Sequence, residues 1–197
     1  MTEGVSDAWD KWRAREDLDE YHARWQQMEA RGEATHGEAD FIESLGPTSV
    51  LDAGCGMGRV AMELHRRGIE VEGVDLDDDL LAFARADAPQ ITWHSADLAT
   101  MSLGRSYETV AMPGNVMIFC RATDRSTIVA NLAAHLNPGG FLVAGFSLRA
   151  DAGALTLNEY DEACSAVGLT LADRFATWER TPYEGGDYAV SLHQQKR

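Results

Sequence analysis

The sequence has no long hydrophobic run. No stretch approaches the roughly 18 consecutive apolar residues that a membrane-spanning helix needs. The first residues, Met1-Thr2-Glu3-Gly4, also lack the basic and apolar regions of a secretory signal peptide. We therefore predict a cytoplasmic protein that makes no membrane contact.

Cysteine is scarce as well. The three cysteines, Cys55, Cys120 and Cys164, form no Cys-x-x-Cys pair and no spacing typical of a zinc site. Their odd number argues against a disulfide framework. We expect three reduced thiols and no bound metal.

Positive charge is in short supply. The chain has 17 Lys and Arg residues against 32 Asp and Glu residues, which leaves a formal net charge of −15. Arg13, Arg15, Arg66 and Arg67 are scattered among acidic residues and form no basic groove. Because such a surface repels a phosphate backbone, the composition disfavours nucleic-acid partners.

Apolar and turn-forming residues alternate along most of the chain. A length of 197 residues, 45% of them hydrophobic, suits one α/β domain with a short extension. Beyond residue 47, the pattern predicts strands at about 50–53, 71–74, 91–94, 108–112 and 141–146, and helices at about 59–68, 78–86 and 126–136. This alternation is typical of right-handed βαβ crossovers and a parallel sheet.

The two ends of the chain have a different pattern. Leu18, Tyr21, Trp25 and Met28 lie on one stripe of a predicted amphipathic helix. A second N-terminal helix is predicted to start at a Thr35-to-Glu38 capping box and to end at Gly46-Pro47. Near the other end, the pattern predicts a helix capped by Asn158 and closed by Gly168, then an antiparallel hairpin over 169–178 and 188–193.

A glycine-rich turn follows the first predicted strand. The run Val50-Leu51-Asp52-Ala53-Gly54-Cys55-Gly56-Met57-Gly58 has the spacing GxGxG. A dinucleotide loop of the GxGxxG type would have its third glycine at position 59, which is Arg59. Glycine allows positive φ and a close approach of the backbone to a ligand, so the run predicts a nucleotide-cofactor loop.

Three further segments follow predicted strands. Asp75 ends the second strand, where a carboxylate can accept both ribose hydroxyls of a nucleoside. Ser95-Ala96-Asp97-Leu98 follows the third strand, and Pro113-Gly114-Asn115 follows the fourth. With the GxGxG run and Leu136-Asn137-Pro138-Gly139-Gly140-Phe141, these segments over about 47–146 resemble the class I S-adenosylmethionine (SAM) dependent methyltransferases.

This resemblance implies a doubly wound α/β fold. The seven-stranded, mostly parallel sheet would have the order 3-2-1-4-5-7-6, with an antiparallel last strand and N-terminal helices as a lid. We expect residues 1–46 to form the lid and 47–197 the SAM-binding domain. The resemblance implies that SAM contacts Asp52, Gly54, Cys55, Gly56, Gly58, Asp75, Leu76, Ala96, Asp97, Leu98, Pro113, Gly114 and Asn115. For Asp52 and Asp97, a purely structural role in bracing the loop or capping the next turn stays open.

Methyl transfer from a sulfonium needs positioning and desolvation more than a nucleophilic residue. The candidates for a general base are Tyr21, His36 and Asn115, with Trp12 and Trp25 as walls. The Pro-Cys pair of cytosine-C5 methyltransferases is absent, because Phe119 precedes Cys120, and so is the Asn-Pro-Pro-Tyr motif of amino-group methylation on adenine or glutamine. A small metabolite is therefore the expected acceptor, through an O, N, C or S atom.

Three other functions stay open. The chain could bind SAM without transferring a methyl group, as a regulator or an inactive partner subunit. It could also methylate a protein. An NAD-dependent oxidoreductase is disfavoured by the GxGxG spacing. The sequence does not indicate an oligomeric state.

Overall fold

A twisted sheet of seven strands runs through the protein in the computed structural model, which describes residues 5–32, 35–149 and 155–196. The strand order is β3-β2-β1-β4-β5-β7-β6. The strands are β1 (Ser49–Ala53), β2 (Glu70–Asp75), β3 (Thr92–Ser95), β4 (Tyr107–Met112), β5 (Leu136–Ser147), β6 (Leu169–Phe175) and β7 (Tyr188–Gln195). Strands β1 to β5 pair in parallel, and β7 is antiparallel to both of its neighbours. The predicted sheet order is confirmed.

Helices cover both faces of this sheet. They are α1 (Asp7–Arg13), α2 (Leu18–Ala30), α3 (Gly37–Glu43), α4 (Arg59–Arg66), α5 (Asp78–Asp87), α6 (Val116–Phe119), α7 (Arg125–Ala134) and α8 (Leu157–Ala166). Apolar residues of α3 and α4 pack into one buried cluster, and those of α6, α7 and α8 pack into a second. Because all five residues of β1 are buried, both faces of the central strand are covered, as in a doubly wound α/β protein.

The N-terminal segment is attached to the sheet domain through the end of α6. Val5 forms an isolated bridge with Cys120, and the Ser6 amide donates to the Phe119 carbonyl at 2.8 Å. The Ser6 hydroxyl donates to the Ile118 carbonyl at 3.1 Å and accepts from the Trp9 amide, so Ser6 also caps α1. Within the described part of the chain, no helix has the length and apolar character needed to cross a membrane.

Two predicted helix caps are wrong. Helix α3 has His36 at its N-cap and no side-chain cap, because Glu38 is paired with Arg59 and does not reach back to the Thr35 amide. Helix α8 is capped by a complete Thr156–Glu159 box, two residues before the predicted Asn158. Residues 137–140, which precede the predicted strand 141–146, lie inside β5 as an irregularity in its pairing with β4.

Candidate functional site

A cleft of about 1010 Å³ opens at the carboxyl ends of β1, β2, β3 and β4. Ligands bind there in open α/β sheets, where the strand order reverses. Most of the predicted cofactor residues line it, namely Asp52, Gly54, Cys55, Gly56, Asp75, Leu76, Asp97, Leu98, Pro113, Gly114 and Asn115. Trp9, Trp12, Tyr21 and Trp25 of α1 and α2 line it from the N-terminal side. Four strand ends and two N-terminal helices therefore share one cavity.

The glycine loop between β1 and α4 is held by close packing as well as by backbone conformation. Gly54 has φ +76°, and a Cβ there would lie 2.6 Å from the Val116 side chain. Gly58, the N-cap of α4, has φ +82°, and a Cβ there would lie 2.4 Å from the Trp93 ring. Both positions require glycine, since side chains rarely adopt this conformation and no space is left for one. Gly58 does not itself line the cleft.

The Asp75 carboxylate is fixed by the backbone on both oxygens. Its Oδ2 accepts from the Gly56 amide at 2.7 Å, and its Oδ1 accepts from the Asp77 amide at 2.9 Å. Burial raises the pKa of the Asp75 carboxyl, against the opposing effect of these hydrogen bonds. Each oxygen keeps a second lone pair, so the group is placed to accept two more hydrogen bonds.

Asp52 occupies the floor of the cleft. Its Oδ2 accepts from the Ala61 amide at 3.1 Å, which braces the first turn of α4. Its Oδ1 is buried without a hydrogen-bond partner among the described residues. Burial raises the pKa of the Asp52 carboxyl to about 7, although the Ala61 amide and the charge of Arg59 act in the opposite direction. The structural role left open by the sequence is thus present, and one carboxylate oxygen has no hydrogen-bond partner in the described part of the chain.

The loop after β3 is held against the end of β2. The Ala96 amide donates to the Asp75 carbonyl at 3.0 Å, and Asp97 Oδ1 accepts from the Ala99 amide at 2.8 Å. Asp97 therefore caps the following turn and also lines the cleft, whereas Ala96 fixes the backbone without lining it.

Asn115 connects the ends of β4 and β5. It has φ +70°, and its Oδ1 accepts from the Ser147 amide at 2.7 Å. Because an amide is not a base and this oxygen is already engaged, the geometry favours a positioning role for Asn115 over the predicted proton transfer.

The other two candidate bases lie in different surroundings. Tyr21 lines the cleft and contacts the Trp12 ring edge-on, with 5.5 Å between ring centroids. His36 does not line it: its Nε2 lies 4.0 Å from Glu63 Oε2 on α4. Hydrogen bonds from Arg66 and Arg67 lower the pKa of the Glu63 carboxyl to about 2, so His36 faces a carboxylate rather than the cleft.

Four of the cleft residues that were not predicted from the sequence form two hydrogen-bonded pairs. Arg59 Nη2 donates to Glu38 Oε1 at 2.6 Å, and the guanidinium lies over the Trp25 ring at 4.5 Å from its centroid. Trp178, whose ring contacts Phe41 of α3, donates from its Nε1 to the Tyr188 hydroxyl at 3.0 Å. All four line the cleft. Of these four, only Arg59 could have been suspected from the sequence, because it directly follows the third glycine of the loop. Tertiary packing brings Glu38, Trp178 and Tyr188 to the cleft.

The Trp178–Tyr188 pair sits above a glycine of β5. A Cβ on Gly145 would lie 2.4 Å from both the Trp178 ring and the Tyr188 hydroxyl. The Gly145 carbonyl accepts from the Asn115 amide at 3.2 Å. Gly145 therefore brings this aromatic pair close to the loop after β4. Burial raises the pKa of the Tyr188 phenol to about 12, so at neutral pH this hydroxyl is a hydrogen-bond donor and acceptor but not a phenolate.

The fold and the cleft identify a class of protein. A family model described as a methyltransferase domain matches residues 50–140, the segment that contains the glycine loop, Asp75, Asp97 and Asn115. A solved TehB-like SAM-dependent methyltransferase from Corynebacterium glutamicum is 32% identical with a TM-score of 0.82, over 91% of this chain and 97% of that one. This chain belongs to the SAM-dependent methyltransferases, a family of enzymes whose methyl donor is SAM.

The names of two curated relatives state different methyl acceptors. A dTDP-3-amino-3,4,6-trideoxy-alpha-D-glucopyranose N,N-dimethyltransferase of Streptomyces venezuelae is 32% identical over 108 residues, which cover 53% of this chain and 46% of the relative. A magnesium-protoporphyrin O-methyltransferase of Rhodobacter capsulatus is 35% identical over 88 residues, covering 42% and 38%. The chain spans less than half the length of these relatives, and the matches do not assign an acceptor.

Proposed function

We propose that this chain transfers a methyl group from SAM to an O, N, C or S atom of a small metabolite by in-line displacement. The observation that carries the proposal is the shared cleft, in which the glycine loop and three acidic strand ends face aromatic residues of α1 and α2. A volume of about 1010 Å³ is at the upper end of the roughly 300–1,000 Å³ typical of small-ligand sites. That size suits a nucleoside cofactor together with a small acceptor.

The residues fit the cofactor in three ways. The fixed Asp75 carboxylate has lone pairs for two ribose hydroxyls. Gly54 and Gly56, at φ +76° and +55°, keep the part of the loop that lines the cleft free of side chains, so a ligand can approach its backbone. Asp97 has one oxygen outside the turn that it caps, which we assign to the adenine amino group. The loop 113–115 would then lie beside the reacting methyl group.

SAM supplies a methyl group on a sulfonium, so its leaving group needs no activation by the protein. What the chain contributes is orientation and exclusion of water. Asn115 holds the loop after β4 to β5, and the rings from α1 and α2 form an apolar cover. Tyr21 stays our candidate for proton transfer where the acceptor needs it; His36, which faces Glu63, is given no such role.

A thermal-shift titration with SAM, S-adenosylhomocysteine and NADH tests the cofactor assignment. At about 100 times its dissociation constant, a ligand adds roughly 2.7 kcal/mol of stability, which is several degrees in Tm for a chain of this size. We expect shifts with the two sulfur nucleosides, none with NADH, and a loss of the shift in Asp75→Ala. Asp173→Ala, an exposed acid on β6, is the matched control and should keep the shift. A shift with NADH alone would overturn the proposal.

Transfer needs its own measurement, because a SAM-binding protein without activity would pass the titration. We expect release of S-adenosylhomocysteine from SAM when pooled small amines, phenols, thiols and carboxylic acids are added. Binding with no release for any pool would favour a regulator or an inactive subunit.

A further inference from the structure

The cleft is strongly acidic, and its two cations are already paired. Among the described residues that line it, the carboxylates are Glu38, Asp52, Asp75, Asp97 and the run 77–79, and the only cations are Arg13 and Arg59. Arg13 pairs with Asp77 at 3.1 Å and with Asp79 at 2.7 Å, and Arg59 pairs with Glu38. Among these described lining residues, an anionic acceptor would therefore meet a negative potential and no unpaired cation.

Aromatic rings cover the same space. Phe119, Trp9, Trp12, Tyr21 and Trp25 form a continuous run, with successive ring centroids 5.5, 4.9, 5.5 and 6.2 Å apart. Two of these rings carry a guanidinium on one face: Arg24 over Tyr21 at 5.1 Å and Arg59 over Trp25 at 4.5 Å. Ring faces attract cations through their quadrupole, most strongly where water is excluded. The aromatic run and the carboxylates thus both favour a positively charged ligand.

The floor of the cleft adds an independent feature. Asp52 is 1% exposed, and its Oδ1 has no hydrogen-bond partner among the described residues. A buried acceptor without a donor is costly, and a cation or N–H donor in the cleft would relieve that cost.

We propose that the methyl acceptor is a small molecule that carries a basic amine and no anionic group, bound between the aromatic run and the wall formed by Trp178 and Tyr188. This inference rests on the proposed function and narrows it. The amine loses its proton to solvent before reaction, and its lone pair forms a bond to the methyl carbon. The carbon–sulfur bond breaks, its electron pair stays on sulfur as S-adenosylhomocysteine, and the product is a methylated ammonium.

Three probes of similar shape separate the charge of the ligand from its size. Tyramine is a cation, 4-ethylphenol is neutral and 3-(4-hydroxyphenyl)propanoate is an anion. Each is titrated into protein saturated with S-adenosylhomocysteine and labelled with ¹⁵N in its tryptophan indoles. Trp9, Trp12, Trp25 and Trp178 line the cleft, whereas Trp93 packs against the glycine loop outside it, so Trp93 is an internal control.

We expect tyramine to shift the four cleft indoles, to leave Trp93 in place, and to bind about tenfold more tightly than the anion, with 4-ethylphenol between them. Equal or tighter binding of the anion would overturn the proposal, and so would the absence of any shift with tyramine. Because S-adenosylhomocysteine is titrated first, failure of that step would count against the proposed function instead.

One substitution should reverse the preference. Glu38→Gln leaves Arg59 without its carboxylate partner, so we expect the anionic probe to gain at least about fivefold in affinity and tyramine to lose at least about fivefold, which together exceed the tenfold preference. Glu43→Gln on the same helix removes a partner of Arg67, which does not line the cleft, and should leave the order unchanged. An unchanged order in Glu38→Gln, with S-adenosylhomocysteine still bound, would contradict the charge argument.

Discussion

Gly58 combines an unusual backbone conformation with a lack of space. In Gly58→Ala, the left-handed backbone costs roughly 1–2 kcal/mol for any L side chain, and the new methyl would overlap the Trp93 ring. We expect the Tm to fall by about 2–4 °C for each kcal/mol lost. Gly68→Ala is a matched control, since Gly68 has φ +85° and nothing within 4 Å of its Cβ position. Thermal unfolding of both variants measures the cost of the left-handed backbone and the added cost of the overlap with Trp93.

The difference between the two variants isolates the overlap with Trp93. If Gly58→Ala and Gly68→Ala lose the same stability, the close approach of Trp93 contributes nothing. A double variant with Trp93→Leu should recover part of the loss in Gly58→Ala, because it removes the overlapping ring.

The Asp52 carboxyl gives the ligand-free protein a pH dependence. Burial raises the pKa of this carboxyl from its ordinary value of 3.8 to about 7 in the folded protein. The folded state therefore binds the proton more tightly, and the contribution of Asp52 to stability is complete below about pH 4 and is lost as pH rises toward 7. Asp52→Asn removes this loss, so relative to wild type it should gain stability over that range, by at most on the order of 4 kcal/mol.

Urea unfolding at pH 4, 5.5, 7 and 8.5 tests this expectation. The difference between Asp52→Asn and wild type should grow with pH and level off above pH 7. Asp173→Asn, on an exposed site of β6, should show no such trend. A constant difference for Asp52→Asn would mean that its carboxyl is already ionised throughout the range.

At the level of single residues, the sequence predicts those positions whose role follows from a strand and the turn after it. Asp75 and the glycines of the loop are of this kind, because chain position alone puts them at the carboxyl end of a strand. Glu38, Arg59 and Trp178 come together from α3, α4 and the β6–β7 connection. Because these residues are far apart in the chain and become neighbours only in the folded protein, their spacing in the sequence does not predict this wall of the cleft.

Arg13 joins the N-terminal helices to the side of the cleft that we assign to the cofactor. Its two ion pairs bridge α1 to Asp77 and Asp79 at the start of α5. We expect trypsin cleavage at Arg31-Gly32, in the turn after α2, to slow when S-adenosylhomocysteine is present. In Arg13→Gln that cleavage should be faster, by up to about fivefold per ion pair, since such pairs contribute roughly 0.2–1 kcal/mol.

Arg85→Gln is the matched control for this experiment. Arg85 pairs with Asp78 within α5, so its removal breaks an ion pair without detaching α1. Mass spectrometry of the released N-terminal fragment gives the rates. Equal rates with and without ligand would show that the N-terminal helices do not close on binding.

Hydrophobic periodicity and capping patterns predicted some of the helices correctly and missed others. The stripe of Leu18, Tyr21 and Trp25 predicted α2 well, because an amphipathic pattern over 13 residues is a strong signal. Helix α1 has only seven residues and no buried side chain, so it left no periodic signal to find. The capping box predicted at Thr35 does not form, because Glu38 pairs with Arg59 of α4 and does not reach the Thr35 amide.

The whole molecule carries a formal charge of −15. Repulsion among like charges destabilises a compact chain, and salt screens it. We therefore expect Tm to rise as NaCl increases from 10 to 500 mM at pH 8, and to change much less at pH 5, nearer the isoelectric point. A falling Tm at pH 8 would show that screening of the ion pairs outweighs relief of the repulsion.

The sheet order could be predicted only through the family resemblance. Alternating strands and helices indicate a parallel sheet, but hydrophobic periodicity does not state which strands are neighbours. The resemblance of five ordered segments supplied that order, including the antiparallel β7.

The position of β7 has a consequence for how the molecule is made. Strand β6 precedes β7 in the chain but pairs with β7 alone, while β7 also completes the edge of β5. During synthesis the parallel strands β1 to β5 can assemble around the glycine loop while β6 still has no partner. Tyr188, which begins β7, arrives with the strand that closes the sheet. On the ribosome, the half of the cleft that we assign to the nucleoside should therefore mature before the half that we assign to the acceptor.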